Sequence, residues 1–127
     1  MKVKCVASKL SENQARDLAI DKVVAYRITK DVEYAVIGIS AFTRNGVNAT
    51  LFWIKDDPGN YPVPIPHLLF EVLDARVSKY WVTETTKTGI RMMPGEFLEP
   101  DFLEDLTEFK PENVKIFSEV VSKLEQE

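Results

Sequence analysis

Few side chains in this sequence could do chemistry, and they do not converge. Cys5 is the only cysteine and His67 the only histidine, and they fall in different elements, so no thiol–imidazole pair is suggested. Cys5 reads as a small buried apolar residue. One cysteine allows neither an internal disulfide nor a cysteine-based zinc site. Asp56 and Asp57 sit in Asp-Asp-Pro-Gly-Asn, which lacks the spaced oxygen ligands and closing Glu of a calcium loop and has the residues of a tight turn. There is no Gly-rich phosphate loop. The remaining carboxylates crowd into one place: Glu96, Glu99, Asp101, Glu104, Asp105, Glu108 and Glu112 occupy seventeen residues in which Lys110 is the only counter-charge. The expectation is therefore no catalytic centre, no metal and no cofactor. What the carboxylates offer is charge, either as the solvated face of a docked helix or as a site for a basic partner.

A second group of candidates is aromatic. Thr50–Leu73 reads TLFWIKDDPGNYPVPIPHLLFEVL, an aromatic strand, a turn, three alternate prolines and a second apolar strand. The prolines lack the N–H that a central ladder needs, so residues 61–66 should run extended along a sheet edge, with Tyr61, Val63 and Ile65 projecting to one side. That side would cap the barrel end or offer an apolar strip. Trp53 lies across from Gly38 in the hairpin register below, where it covers exposed backbone or serves as a platform. Trp81 falls between Lys79 and Arg91 in the expected second hairpin, a trio able to stack a base or a peptide aromatic.

The elements that must position these groups are short. Lys2–Val6 alternates as a half-buried strand with Val3 and Cys5 on one face. Ser11 and Gln14 have capping-box spacing for a helix of about two turns ending near Leu18. Val23–Thr29 predicts a strand with Val24, Tyr26 and Ile28 on one face, and Tyr34–Phe42 another. Asn45-Gly46 supplies the positive φ values of a two-residue hairpin turn. Counting from it pairs Ile39 with Phe52 and Ile37 with Ile54 on a core face, and Gly38 with Trp53 on the other. His67–Leu73 predicts a strand with Leu68, Phe70 and Val72 inward. Ser78–Glu84 and Ile90–Met93 predict a second hairpin with Tyr80, Val82, Ile90 and Met92 inward. After Pro94-Gly95 the chain turns helical, with Pro111 at the first turn of a last helix whose apolar face is Val114, Phe117, Val120, Val121 and Leu124.

At 127 residues, 45% hydrophobic and 28% charged, the chain fits one domain, residues 1–93 β-rich and 94–127 an acidic helical tail. The net charge of −4 hides a gradient: residues 1–50 carry eight Lys or Arg against five Asp or Glu, while residues 92–127 carry three against ten. That asymmetry argues against a phosphate-binding surface. No stretch approaches the roughly 20 apolar residues of a membrane span, and the N-terminus lacks a signal-peptide core, which predicts a cytoplasmic protein without a membrane partner.

The order Lys-Val-Lys-Cys-Val, a variable loop, Asp21-Lys22-Val23-Val24-Ala25-Tyr26-Arg27-Ile28, a hairpin, a turn and Pro66-His67-Leu68-Leu69-Phe70-Glu71 resembles small SH3-like barrels of uncharacterised bacterial and phage proteins. The resemblance covers about the first 75 residues. It departs in having Asp21 where glycine is usual and in the long proline arm, and it brings no catalytic residues. The implied fold is α+β, mostly antiparallel β: an SH3-like partly open barrel, extended by the second hairpin, with the C-terminal helical segment packed on it. The expected function is non-enzymatic protein binding, of an inhibitor or immunity type, with the acidic segment engaging a basic partner. Two other expectations are peptide or nucleic-acid binding through Trp53, Tyr61 and Trp81, and a homo-oligomer joined through the proline arm or last helix.

Overall fold

The computed structural model, which describes residues 1–127, runs β1 (Lys2–Cys5), α1 (Glu12–Asp17), β2 (Glu33–Ala35), β3 (Gly38–Arg44), β4 (Val47–Lys55), β5 (Pro62–Pro66), a 3₁₀ turn (His67–Leu69), β6 (Phe70–Asp74), β7 (Trp81–Thr85), β8 (Gly89–Pro94), α2 (Gly95–Leu98), α3 (Phe102–Thr107) and α4 (Pro111–Glu125). The fold is α+β with two antiparallel sheets, ordered β2-β1-β6 and β5-β4-β3-β8-β7. Neither closes into a barrel.

The hairpin sets the larger sheet. Asn45 and Gly46 have φ of 51° and 75°, the left-handed pair that matches strand twist, and β3 pairs with β4 as Gly38 with Trp53 and Ile39 with Phe52. Close packing continues on the other side of β3, where β8 lies so near that a Cβ on Gly89 would overlap the Ala41 carbonyl, and one on Gly38 would sit 2.6 Å from the Met92 carbonyl oxygen. Glycine is required at both positions. The proline arm is an edge strand, β5, as its missing N–H groups demand.

Two apolar clusters lie on either side of this sheet. The first joins Val3 and Cys5 of β1, Phe70 of β6, Val36, Leu10, Ala15 and Ile28 to Phe52, Ile54 and Ile65. The second joins Ile37 and Met93 to Phe97, Phe102, Leu106, Phe117, Val120, Val121 and Leu124 of the helices. Ser11 caps α1 with the full reciprocal bond to Gln14, and Pro111 opens α4, both as their spacing requires.

Several expectations are corrected by this second layer. Tyr34–Phe42 is two strands in different sheets: Val36 and Ile37, both 1% exposed, turn into opposite clusters at the crossing. Ile37 therefore leaves the face of Ile54. In the second hairpin, Trp81 pairs with Pro94 and Val82 with Met93, and the burial is reversed. Met93 is fully buried and Trp81 half-buried against both clusters, whereas Tyr80, Val82 and Ile90 are exposed, because the helices supply a cover that β-strand alternation alone does not reveal. Val23–Thr29 forms no strand. Its backbone is instead engaged by loops, with Tyr26 N–H donating to Ser8 O (2.8 Å) and Arg27 O accepting from Asp57 N–H (2.8 Å), and Val24 is exposed. His67–Leu69 winds as a 3₁₀ turn before β6, which takes Leu68 out of the strand and leaves it exposed, and Val72, although it shares a strand face with buried Phe70, is exposed as well. Ile65 is wholly buried in the first cluster, with Val63 packed beside it, so the strip expected on the proline arm faces the core.

Candidate interaction surface

The acidic segment is built on three buried phenylalanines. Phe97 of α2 stacks on Phe102 of α3 with centroids 5.3 Å apart and tilts against Phe117 of α4 at 5.6 Å. These rings hold two short helices, each too short to persist alone, against the sheet. Their opposite faces carry the carboxylates: Glu96, Glu99, Asp101, Glu104 and Glu108 are exposed and Asp105 is half-buried.

Intramolecular neutralisation touches only two of the six. Lys110 Nζ donates to Asp105 at 2.8 Å and reaches Glu108 at 3.7 Å. The hydrogen bond to Asp105 raises the Lys110 pKa above its ordinary value, which keeps the lysine charged beside that carboxylate. Glu96, Glu99, Asp101 and Glu104 meet no basic side chain within ion-pair distance. Asp101 stands in the left-handed region at φ 65°, before the first turn of α3, with no capping bond from its side chain. Its carboxylate is free.

The aromatic candidates are placed differently. Trp53 and Tyr61 pack against the helical cluster, and the Trp53 indole donates to Ser40 Oγ at 2.8 Å. Trp81 does not assemble with its expected cations. Arg91 turns to Glu84 (2.9 Å), and Lys79 lies over Tyr80 with Nζ 5.2 Å from the ring centroid. Lys123 of α4 approaches the same ring at 5.9 Å, a meeting of residues distant in sequence that no local spacing signals. The Trp81 indole N–H is buried without a partner.

The reactive side chains have structural partners. Cys5 is buried, donates to Ala7 O at 3.3 Å, and burial raises its pKa, which keeps it a thiol. His67 Nδ1 lies 3.1 Å from Thr50 O. Asp57 accepts from Thr29 Oγ1 (2.8 Å) and Tyr34 O–H (2.6 Å), and the Tyr34 oxygen accepts from Thr29 N–H (2.9 Å). Asp56 is buried beside Arg27 Nε at 3.5 Å and accepts from Gly59 N–H at 3.4 Å. The turn thus ties residues 27–34 to the end of β4. No group of three or more His, Cys, Asp or Glu side chains is placed to hold a metal ion, and no helix is long and apolar enough to cross a membrane. Comparison with family models, with curated proteins and with solved structures gave no match to this chain.

Proposed function

We propose that the chain is a non-enzymatic binding protein whose α2–α3 face, carrying Glu96, Glu99, Asp101 and Glu104, engages a basic surface of another protein in the manner of an inhibitor or immunity-type partner. One observation carries this reading: four exposed carboxylates lack any intramolecular cation, on helices fixed from beneath by Phe97, Phe102 and Phe117. Rigid, uncompensated charge steers a complementary partner and suppresses like-charged ones. The structural roles of Cys5 and His67 support binding over catalysis. On this reading the protein works in the cytoplasm without a cofactor. The SH3-like resemblance is proposed for the first 75 residues only.

The test is affinity capture from the native host with the wild-type chain and with a variant carrying Glu96→Lys, Glu99→Lys, Asp101→Lys and Glu104→Lys. Asp105 is left in place so that its bond to Lys110 survives. A basic protein retained by the wild type and lost by the folded variant supports the proposal. Equal retention by both refutes it.

A further inference from the structure

The end of α1 is closed by its own backbone. Ile20 N–H donates to Ala15 O at 2.8 Å and Ala19 N–H to Arg16 O at 3.1 Å, with Ala19 in the left-handed region at φ 55°. This is the Schellman pairing that terminates a helix, and it fixes the turn that leads into Asp21 with an alanine where glycine is the usual occupant. The turn meets the β3–β4 hairpin at a place where the sheet is incomplete. β5 pairs with β4 only over Leu51–Lys55, so residues 47–50 have no strand on their outer side.

Between the turn and the hairpin lies a cavity of about 330 Å³. Its apolar wall is Leu18 and Ile20 from the turn, with Phe42, Val47, Ala49 and Leu51 from the strands. Phe42 pairs with Ala49 and Arg44 with Val47, and side chains alternate along each strand, so these residues and Leu51 share one face of the hairpin. All six apolar residues are half-buried, and the four from the strands belong to neither core cluster. Packing of the sheets and helices therefore does not account for this lining. Two charged side chains stand on the same cavity, Asp21 beyond the turn and Arg44 at the end of β3. Both are exposed, and neither forms an ion pair with the other or with any other residue.

We propose that this cavity binds a small apolar zwitterion of the size of a free aromatic or branched amino acid. Its carboxylate meets Arg44, its ammonium meets Asp21, and its apolar side chain lies against the Phe42, Ala49 and Leu51 face. The charges select this occupant. A purely anionic ligand is attracted by Arg44 and repelled by Asp21, a cationic one meets the reverse, and a neutral one leaves both unmatched. A molecule of both signs satisfies both groups, and the guanidinium fork suits a carboxylate in two parallel hydrogen bonds. Volume sets the scale: ligand sites run from about 300 to about 1,000 Å³, so this one is at the small end and takes a single compact molecule.

The test is a titration of the intact chain, read from backbone amide shifts, with L-phenylalanine, phenylpropionate, phenethylamine and N-acetylphenylalanine amide. Each is taken to about 10 mM, a range that captures weak binding. Phenylpropionate lacks the ammonium, phenethylamine lacks the carboxylate, and the blocked amide keeps the side chain without either charge. L-phenylalanine should shift the amides of Ala19, Phe42 and Ala49 and bind at least about tenfold more tightly than the other three. Asp21→Asn should erase its advantage over phenylpropionate, and Arg44→Gln its advantage over phenethylamine. Both positions are exposed, and unshifted amides away from the cavity show that each variant is folded. No shift with any probe overturns the proposal, as do four equal affinities, shifts confined to other residues, or an L-phenylalanine affinity that either substitution leaves unchanged. Binding of the blocked amide as tight as that of L-phenylalanine marks a site for a peptide side chain and also overturns it.

Discussion

Replacing Phe97 by alanine tests how the acidic helices are held. Phe97 is 1% exposed and touches Phe102 and Phe117, so truncation leaves a cavity at the junction of α2, α3 and α4. Buried Phe→Ala changes cost about 3–5 kcal/mol, of which the two ring pairs account for roughly 1–3. With a urea slope near 2 kcal/mol/M, the midpoint should fall by roughly 1.5–2.5 M. Both tryptophans pack against this cluster, so their fluorescence reports it, while far-ultraviolet circular dichroism reports the sheets as well. The five-stranded sheet is shared by both clusters, and the two signals should therefore move together as one cooperative transition. A loss below about 1 kcal/mol would contradict the packing argument. A shifted fluorescence transition beside an unshifted dichroism transition would show that the tail is a separate unit.

Two further substitutions have defined signs. Tyr34→Phe removes the donor to Asp57 and the acceptor of Thr29 N–H, and should cost about 1–2 kcal/mol at neutral pH. Burial, with the Asp57 hydrogen bond next, raises the Tyr34 pKa, so the folded state holds this proton more tightly than the unfolded chain. Its stabilisation is complete below the unfolded value of about 10 and disappears as pH rises through the folded one. A pH series of urea midpoints should show a wild-type alkaline loss that is reduced in the variant, and identical alkaline limbs would refute the assignment. Phe109 has φ 56° and is 55% exposed, a left-handed position that a bulky side chain occupies at a cost. Phe109→Gly should raise stability by about 0.5–1 kcal/mol, and a fall in the urea midpoint would contradict this.

Local signals in the sequence located most of the elements. Asn45-Gly46 fixed the register of β3 and β4, the three prolines marked an edge, and Ser11 with Gln14 marked a capped helix, because each acts over a few residues. Errors arose wherever burial came from a distant element. The helices cover one face of the five-stranded sheet and so reverse the expected burial in the second hairpin. The Val36–Ile37 crossing lies inside an apolar run that reads as one strand, and the Gly38 that follows it reads equally as the close contact with β8. The acidic cluster was fully legible as composition, but which of its members Lys110 neutralises was not. That distinction leaves Glu96, Glu99, Asp101 and Glu104 as the four that matter. The Tyr34–Asp57 contact depends on long-range pairing and gave no local sign.

The claim that charge on the α2–α3 face selects the partner is tested most directly by the salt dependence of the captured complex. Raising ionic strength from about 0.1 M to about 1 M shortens the screening length from about 10 Å to about 3 Å. The dissociation constant should weaken at least about tenfold over that range through a slower association rate, and the variant lysine-substituted at residues 96, 99, 101 and 104 should bind weakly throughout. An affinity that is indifferent to salt and unchanged by those substitutions would contradict the account.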